Sequence, residues 1–345
     1  MLHKSIILVI ILILKIAALV HALEIPQPRL RIANTDNCYV PYISNHPLHE
    51  RNDDIQHVIL AIHSSNHDAL MVYNGCMELV DSHGNLNKSI LVIAPQFLME
   101  KHVKSSTDTK LLFWKVYPFW GSSISTTKSA GRDLRISAYS ILDQVISDIC
   151  SKTTFPNVQR LTILGHSAGG QLVNRFAASN TVEFDVARPA GVRCKYIVMN
   201  PSSYVYFSPK RSVNGSVQDL SIPPREIIES HPGYNNYGYG LDKLYSYHRK
   251  KGLTPQKIRQ MYPQRNVIYL LGEKDCVADA SMSTHPHAML QGDNRLERGR
   301  IYYGHLIDEF GPHIKNTQKI VVIPKVGHSG RHMMLSKQGQ RFILK

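Results

Sequence analysis

The stretch Arg160-Leu161-Thr162-Ile163-Leu164-Gly165-His166-Ser167-Ala168-Gly169-Gly170 constrains the fold more than any other part of the chain. An apolar run of strand character delivers a serine into a glycine-flanked turn, and Gln171-Leu172-Val173-Asn174-Arg175-Phe176-Ala177-Ala178 follows as a helical run. A strand that turns straight into a helix holds its turn residue in strained backbone geometry, and only small neighbours let the helix lie so close to the strand. The pattern predicts that Ser167 stands out at the end of its strand. A phosphate-binding Gly-rich turn shares part of this spacing, so the rest of the chain has to discriminate.

A serine hydroxyl needs a general base, and the base needs an orienting acid. Asn266-Val267-Ile268-Tyr269-Leu270-Leu271 reads as a buried strand, and Gly272-Glu273-Lys274-Asp275 as the turn beyond it, which makes Asp275 the candidate acid. Lys319-Ile320-Val321-Val322-Ile323-Pro324 is another β-rich run, and His328 in the loop after it is the candidate base. Asp279 is the alternative acid, with a charge at a helix N-terminus as its plainer role. His328 and His332 have the i, i+4 spacing of a zinc pair, but Gly330 and Arg331 lie between them and the accompanying Glu of such motifs is missing. The His285-Pro286-His287 run reads as a solvated loop.

On Gly165-His166-Ser167-Ala168-Gly169, Gly272-Glu273-Lys274-Asp275 and Gly327-His328, the chain from about His57 onward resembles the α/β-hydrolase superfamily of serine esterases and lipases. The resemblance implies a mostly parallel central sheet with helices on both faces, and a Ser167–His328–Asp275 triad working through an acyl-enzyme, with no cofactor and no metal. It also implies an oxyanion hole made by the backbone N–H groups of Ala168 and Ser65. His57-Val58-Ile59-Leu60-Ala61-Ile62-His63 matches the strand before that loop, although Ser64 stands where the family usually carries Gly. His63 and His166 flank the expected pocket.

The remaining runs fit one α/β domain. Apolar stretches at about 57–63, 89–95, 160–165, 196–200, 266–271 and 319–324 alternate with helical patterns, as a sheet covered on both faces requires. Between Gly131 and Lys152, Leu134, Ile136, Tyr139, Leu142, Val145, Ile146 and Ile149 form a stripe of helical period. The segment from about 202 to 262, after the sixth strand, is rich in tyrosine and reads as a lid-like insertion, with Tyr204 a candidate pocket residue. The tryptophans, Trp114 and Trp120, belong either to the pocket mouth or to the core.

Residues 1–22 have the pattern of a cleavable export signal. Lys4 precedes the apolar run Ile6 to Leu14, Lys15 cuts that run short of a membrane span, and Val20-His21-Ala22 suits cleavage after Ala22. A catalytic domain of residues 23–345, secreted or periplasmic, is expected. The five cysteines then face an oxidising compartment, and Cys150 with Cys194 is the expected disulfide. The formal net charge of +14 favours electrostatic contact with anionic envelope surfaces, while the scatter of the basic residues and the lack of a recognition motif exclude specific nucleic-acid binding. These features predict an exported enzyme that cleaves a small-molecule or lipid carboxylic ester. Amide or peptide cleavage by the same residues is the alternative, and a non-catalytic binding protein on the same fold is another.

Overall fold

The computed structural model describes residues 25–103, 108–114, 136–212, 215–216 and 219–345. The expected leader, Trp120 and the start of the expected helix at 131–135 lie outside the described residues.

The six apolar runs form the parallel part of a single eight-stranded sheet, to which two N-terminal strands not expected from the sequence are added. Its strands are β1 (Arg29–Arg31), β2 (Tyr39–Ser44), β3 (His57–Ile62), β4 (Ile90–Pro95), β5 (Arg160–His166), β6 (Arg193–Met199), β7 (Val267–Gly272) and β8 (Gln318–Ile323), in the spatial order β1-β2-β4-β3-β5-β6-β7-β8. The six strands from β4 to β8 run parallel, and β1 and β2 add an antiparallel edge. Parallel strands need covered crossovers, which is why β3, β4 and β7 are buried at every position rather than at alternate ones.

Alternation decides which core each side chain joins. Val58, Leu60 and Ile62 of β3 face one cluster, with α2 (Ala138–Cys150), α3 (Ala168–Ser179) and α4 (Arg295–Phe310) packed on it. Ile59 and Ala61 face the other, covered by α1 (Ala69–Asp81), α5 (Gly330–Leu335) and α6 (Lys337–Leu344). Helix starts are set by side chains that accept otherwise orphaned N–H groups: Asp68 for α1, Ser137 for α2, Asn294 for α4, Ser329 for α5 and Ser336 for α6.

Two expectations need correction. Cys150 and Cys194 are both buried with free thiols, as Cys38 and Cys76 are, and Cys276 is exposed and free, so no disulfide joins any of the five. Burial pushes the Cys150 thiol up to about 11 and that of Cys194 well above its ordinary value, which disfavours the thiolate that disulfide exchange requires. The tyrosines of segment 202–262 are mostly core rather than lid: Tyr204, Tyr206, Tyr237 and Tyr247 are buried in the first cluster. Trp114 is also fully buried there.

Candidate active site

The turn after β5 has the strained geometry its sequence predicts. Ser167 has φ 55° and ψ −117°, outside the regions L-residues favour, at a cost of about 1–3 kcal/mol that the surroundings must offset. Its N–H donates to Met199 O at 2.9 Å, which ties the turn to β6. A side chain at Gly165 would collide with the Gly169 backbone, and one at Gly169 would collide with the carbonyl of Ile62. Both glycines are therefore required by close backbone approach.

Asp275 and His328 come from loops that the backbone stitches together. Glu273 N–H donates to Ile323 O at 3.0 Å and Lys274 N–H to Val326 O at 2.8 Å, while the Glu273 carboxylate accepts from Lys325 N–H at 2.8 Å. His328 Nδ1 then donates to Asp275 Oδ2 at 2.7 Å. Asp275 is buried and His328 partly so. This contact puts the ring proton on Nδ1 and leaves Nε2 as the acceptor. Among the described residues Ser167 Oγ makes no hydrogen bond to His328, but both side chains line the same cavity of about 580 Å³.

That cavity also settles where the other expected residues lie. Ser65 and His166 line it; His63 and Tyr204 do not. His63 instead sits beneath the loop, fully buried. Its Nε2 accepts from Phe97 N–H at 3.0 Å and its Nδ1 donates to Ser64 O at 2.9 Å. Burial holds it at about 4, so it stays neutral in this tautomer. The Ser64 carbonyl and the Ser65 N–H belong to one trans peptide and point opposite ways. The His63 bond to the Ser64 carbonyl therefore fixes the orientation of that peptide. Ser64 causes no difficulty in place of Gly, because the left-handed residue of this loop is His67, with φ 60°. Ala168 is the first residue of α3, where helix N–H groups lack an intrahelical acceptor.

His166 lies beside the base with its ring tilted, its centroid 4.4 Å from that of His328, and among the described residues its buried Nε2 has no partner. Burial, followed by the neighbouring His328 and Arg295, holds it well below the ordinary histidine range. Tyr204 is stacked on Tyr302 at 4.3 Å in the core. The opposite wall of the cavity is made by Met71, Val72 and Gly75 of α1 with Met334 of α5 and Met199, and an Arg331–Glu78 ion pair joins α5 to α1 at its rim.

Two buried residues at the site carry no signal in the sequence reading. Asn200, with φ 42°, accepts from Gly272 N–H at 2.8 Å and donates to Gly327 O at 3.3 Å, so it joins β6, β7 and the His328 loop. An Asn directly after an apolar strand is the only hint of it. Arg295 donates to Asp275 Oδ1 at 3.2 Å and to both oxygens of Asp279, the residue weighed as an alternative acid. Among the described residues no group of three His, Cys, Asp or Glu side chains is arranged to hold a metal ion.

A strained serine at the carboxyl edge of a parallel sheet, with an acid and a histidine in the loops after its last two strands, β7 and β8, defines a class. The chain has the α/β-hydrolase fold. Among solved structures it is similar to LpqC, a poly(3-hydroxybutyrate) depolymerase from Bordetella parapertussis, with a TM-score of 0.57 and 18% identity over 90% of this chain and 88% of that one. It is also similar to poly(aspartic acid) hydrolase-1 from Sphingomonas sp. KT-1, with a TM-score of 0.56 and 16% identity over 94% of this chain and all of the other. No protein-family model matches the chain, and no curated protein matches it significantly.

Proposed function

We propose that this protein is an exported serine hydrolase that cleaves a carboxylic ester. The single observation that carries the reading is the 2.7 Å contact of His328 with Asp275 on the wall of a cavity shared with the strained Ser167. Ser167 Oγ attacks the ester carbonyl while His328 Nε2 takes its proton, and Asp275 supports the imidazolium that forms. The Ser167–His328 hydrogen bond tightens as substrate fills the cavity, as it commonly does in enzymes of this kind. The N–H groups of Ala168 and Ser65 stabilise the tetrahedral oxyanion, and the pre-aimed Ser65 peptide lowers the reorganisation needed. His328 then returns its proton to the leaving alcohol and activates water to release the acid.

The methionine-lined wall suits an apolar acyl group, since thioether side chains adapt to irregular shapes. Both similar structures are described as degrading a polymer, one as a depolymerase and one as a hydrolase, which favours hydrolysis as the class of reaction. Export rests on the Lys4 to Ala22 pattern. Contact with anionic surfaces rests on the charge of +14. Fluorophosphonate labelling that disappears in Ser167→Ala is the expected result, with hydrolysis of nitrophenyl esters lost in parallel. A wild-type chain that is folded but neither labels nor hydrolyses esters across pH 6–9 would overturn the reading, and preferential cleavage of peptide amides would redirect it.

A further inference from the structure

Asp275 and Asp279 end on one guanidinium. Arg295, fully buried at the start of α4, donates from Nη1 to Asp275 Oδ1 at 3.2 Å and to Asp279 Oδ2 at 3.0 Å. Its Nη2 reaches Asp279 Oδ1 at 3.1 Å and Ser281 Oγ at 2.8 Å, and its Nε reaches Ser202 Oγ at 3.2 Å. The next residue, Leu296, donates its N–H to Asp275 O at 3.1 Å, so the helix start grips the acid by both backbone and side chain.

Mere anchoring of Asp275 would need a donor but not a charge. A guanidinium against the acid weakens the negative field that the acid exerts on His328, which works against forming an imidazolium. The second carboxylate offsets this. Asp275, Arg295 and Asp279 together present one net negative charge to His328, the same as a lone aspartate, but held in a rigid planar fork. The guanidinium in turn holds the Asp279 carboxyl well below the usual range.

We infer that Arg295 and Asp279 form a paired counter-charge that positions Asp275 and sets its electrostatic action on His328. This rests on the assignment of His328 as base. Both are positioning residues, acting through Asp275. The other groups around His328 do not supply the same control. His166 is neutral, Glu78 and Arg331 neutralise each other at the rim, and Lys274 and Lys325 lie on the paired loops, with Glu273 bound to the Lys325 N–H. Beside Arg295 lies Arg298, whose guanidinium is lowered by burial and then by Arg295.

The pairing predicts shifts of opposite sign. In the full chain labelled with ¹³C-histidine, the His328 signal is identified by its loss in His328→Gln, and its titration is followed by NMR. Asp279→Asn keeps the shape but leaves Arg295 uncompensated, so the His328 midpoint falls by about half a pH unit; Asp279 is half exposed, which keeps the shift modest. Arg295→Met leaves two carboxylates facing the ring, so the midpoint rises. The double variant returns close to the wild-type midpoint, although kcat stays low because Asp275 is no longer clamped. The acid limb of kcat/KM moves with the same signs. Midpoints that stay fixed, or move the same way in both single variants, would overturn the pairing. If Arg295→Met fails to fold, Asp279→Asn alone decides by the sign of its shift. The titration is read without turnover, so an absence of esterase activity would count against the proposed function and leave this test standing.

Discussion

The two faces of the sheet are built from different chemistry, and the cavity beside Ser167 borders one of them. On the α2, α3 and α4 face many of the large side chains are tyrosines, and several of their hydroxyls bond to one another and to fixed partners. Tyr139 meets Tyr237 at 3.1 Å, Tyr237 meets Ser179 at 2.8 Å, Tyr302 accepts from Asn174 at 3.2 Å, and Tyr262 meets Tyr269. On the α1 and α5 face Met333, Met334 and Cys76 pack with aliphatic neighbours, and Met71, Met199 and Met334 border the cavity beside Ser167. A buried hydroxyl demands a directional partner and so locks its ring, whereas a thioether fills whatever space is left. The rigid face holds Asp275 and the elbow helix in register, and on the proposed function the adaptable face would receive the substrate.

The largest expected effect separates the two faces directly. His328→Ala should lower kcat on a nitrophenyl ester by on the order of a million-fold. Tyr204→Phe should leave kcat/KM within about twofold, because Tyr204 lies in the core and among the described residues its buried hydroxyl has no partner to lose. A large KM effect in Tyr204→Phe would show that the aromatic face contributes to the pocket after all, and would break the contrast.

Acid should weaken both faces. Burial lowers His57, beside β5 on the methionine face, to about 3, and His248, bonded to Ser179 Oγ at 2.9 Å on the tyrosine face, to about 4. Each is neutral when folded and takes a proton near its ordinary value when unfolded. The unfolded state therefore binds more protons below about pH 6.5, and stability falls as pH drops from there toward 4. At pH 5 each group costs on the order of 2 kcal/mol relative to neutral pH. The melting temperature should decline steeply from pH 6.5 to 5, and His248→Phe should flatten that slope. A flat profile in the wild type would show that these rings are not held neutral.

The six parallel strands and the strained turn at Ser167 were readable because each depends on a short local pattern. A continuous apolar run marks a parallel strand, and a Gly-flanked Ser marks the elbow. The role of the tyrosines was not readable, because an amphipathic side chain gives the same letter whether its hydroxyl meets solvent, as in a lid, or another tyrosine in a core. Arg295 was hidden for a related reason. Its five donors are filled by Ser202, Asp275, Asp279 and Ser281, and nothing in the sequence around an Arg at a helix start shows that two distant carboxylates converge there. The Cys150–Cys194 pairing failed because lying at a common sheet edge does not bring two thiols into bonding geometry.

A smaller effect tests whether the methionine wall sets acyl preference. A Cβ at Gly75 would lie 2.5 Å from Met334 Cε, the far end of a flexible side chain, so Gly75→Ala should be tolerated by a shift of Met334 that narrows the cavity. A loss of one or two methylenes of room changes selectivity by roughly tenfold, so kcat/KM should fall for long acyl chains and hold for acetate esters. An unchanged chain-length profile would mean that substrate enters along another wall.

The smallest effect concerns the opposite end of the strands, where the charge distribution differs most from that at the triad. At the carboxyl edge the cations Arg295 and Arg331 are each paired with a carboxylate. At the amino edge Arg160, Arg193 and Lys195 surround a cleft of about 170 Å³ with no acidic side chain in its lining. Arg160 and Lys195 are partly engaged, donating to Leu344 O at 3.0 Å and Phe342 O at 3.1 Å near the end of α6. Burial, then repulsion from Arg160, Arg193 and Lys319, pushes the Lys195 ammonium down. An anionic surface approaching this edge would relieve that repulsion without touching the catalytic cavity. Retention on a sulfated resin should therefore fall as salt rises, and Arg193→Glu should elute at lower salt with kcat unchanged. Equal retention of Arg193→Glu and wild type would place the attraction in the scattered charge of the whole surface and remove any special role for this edge.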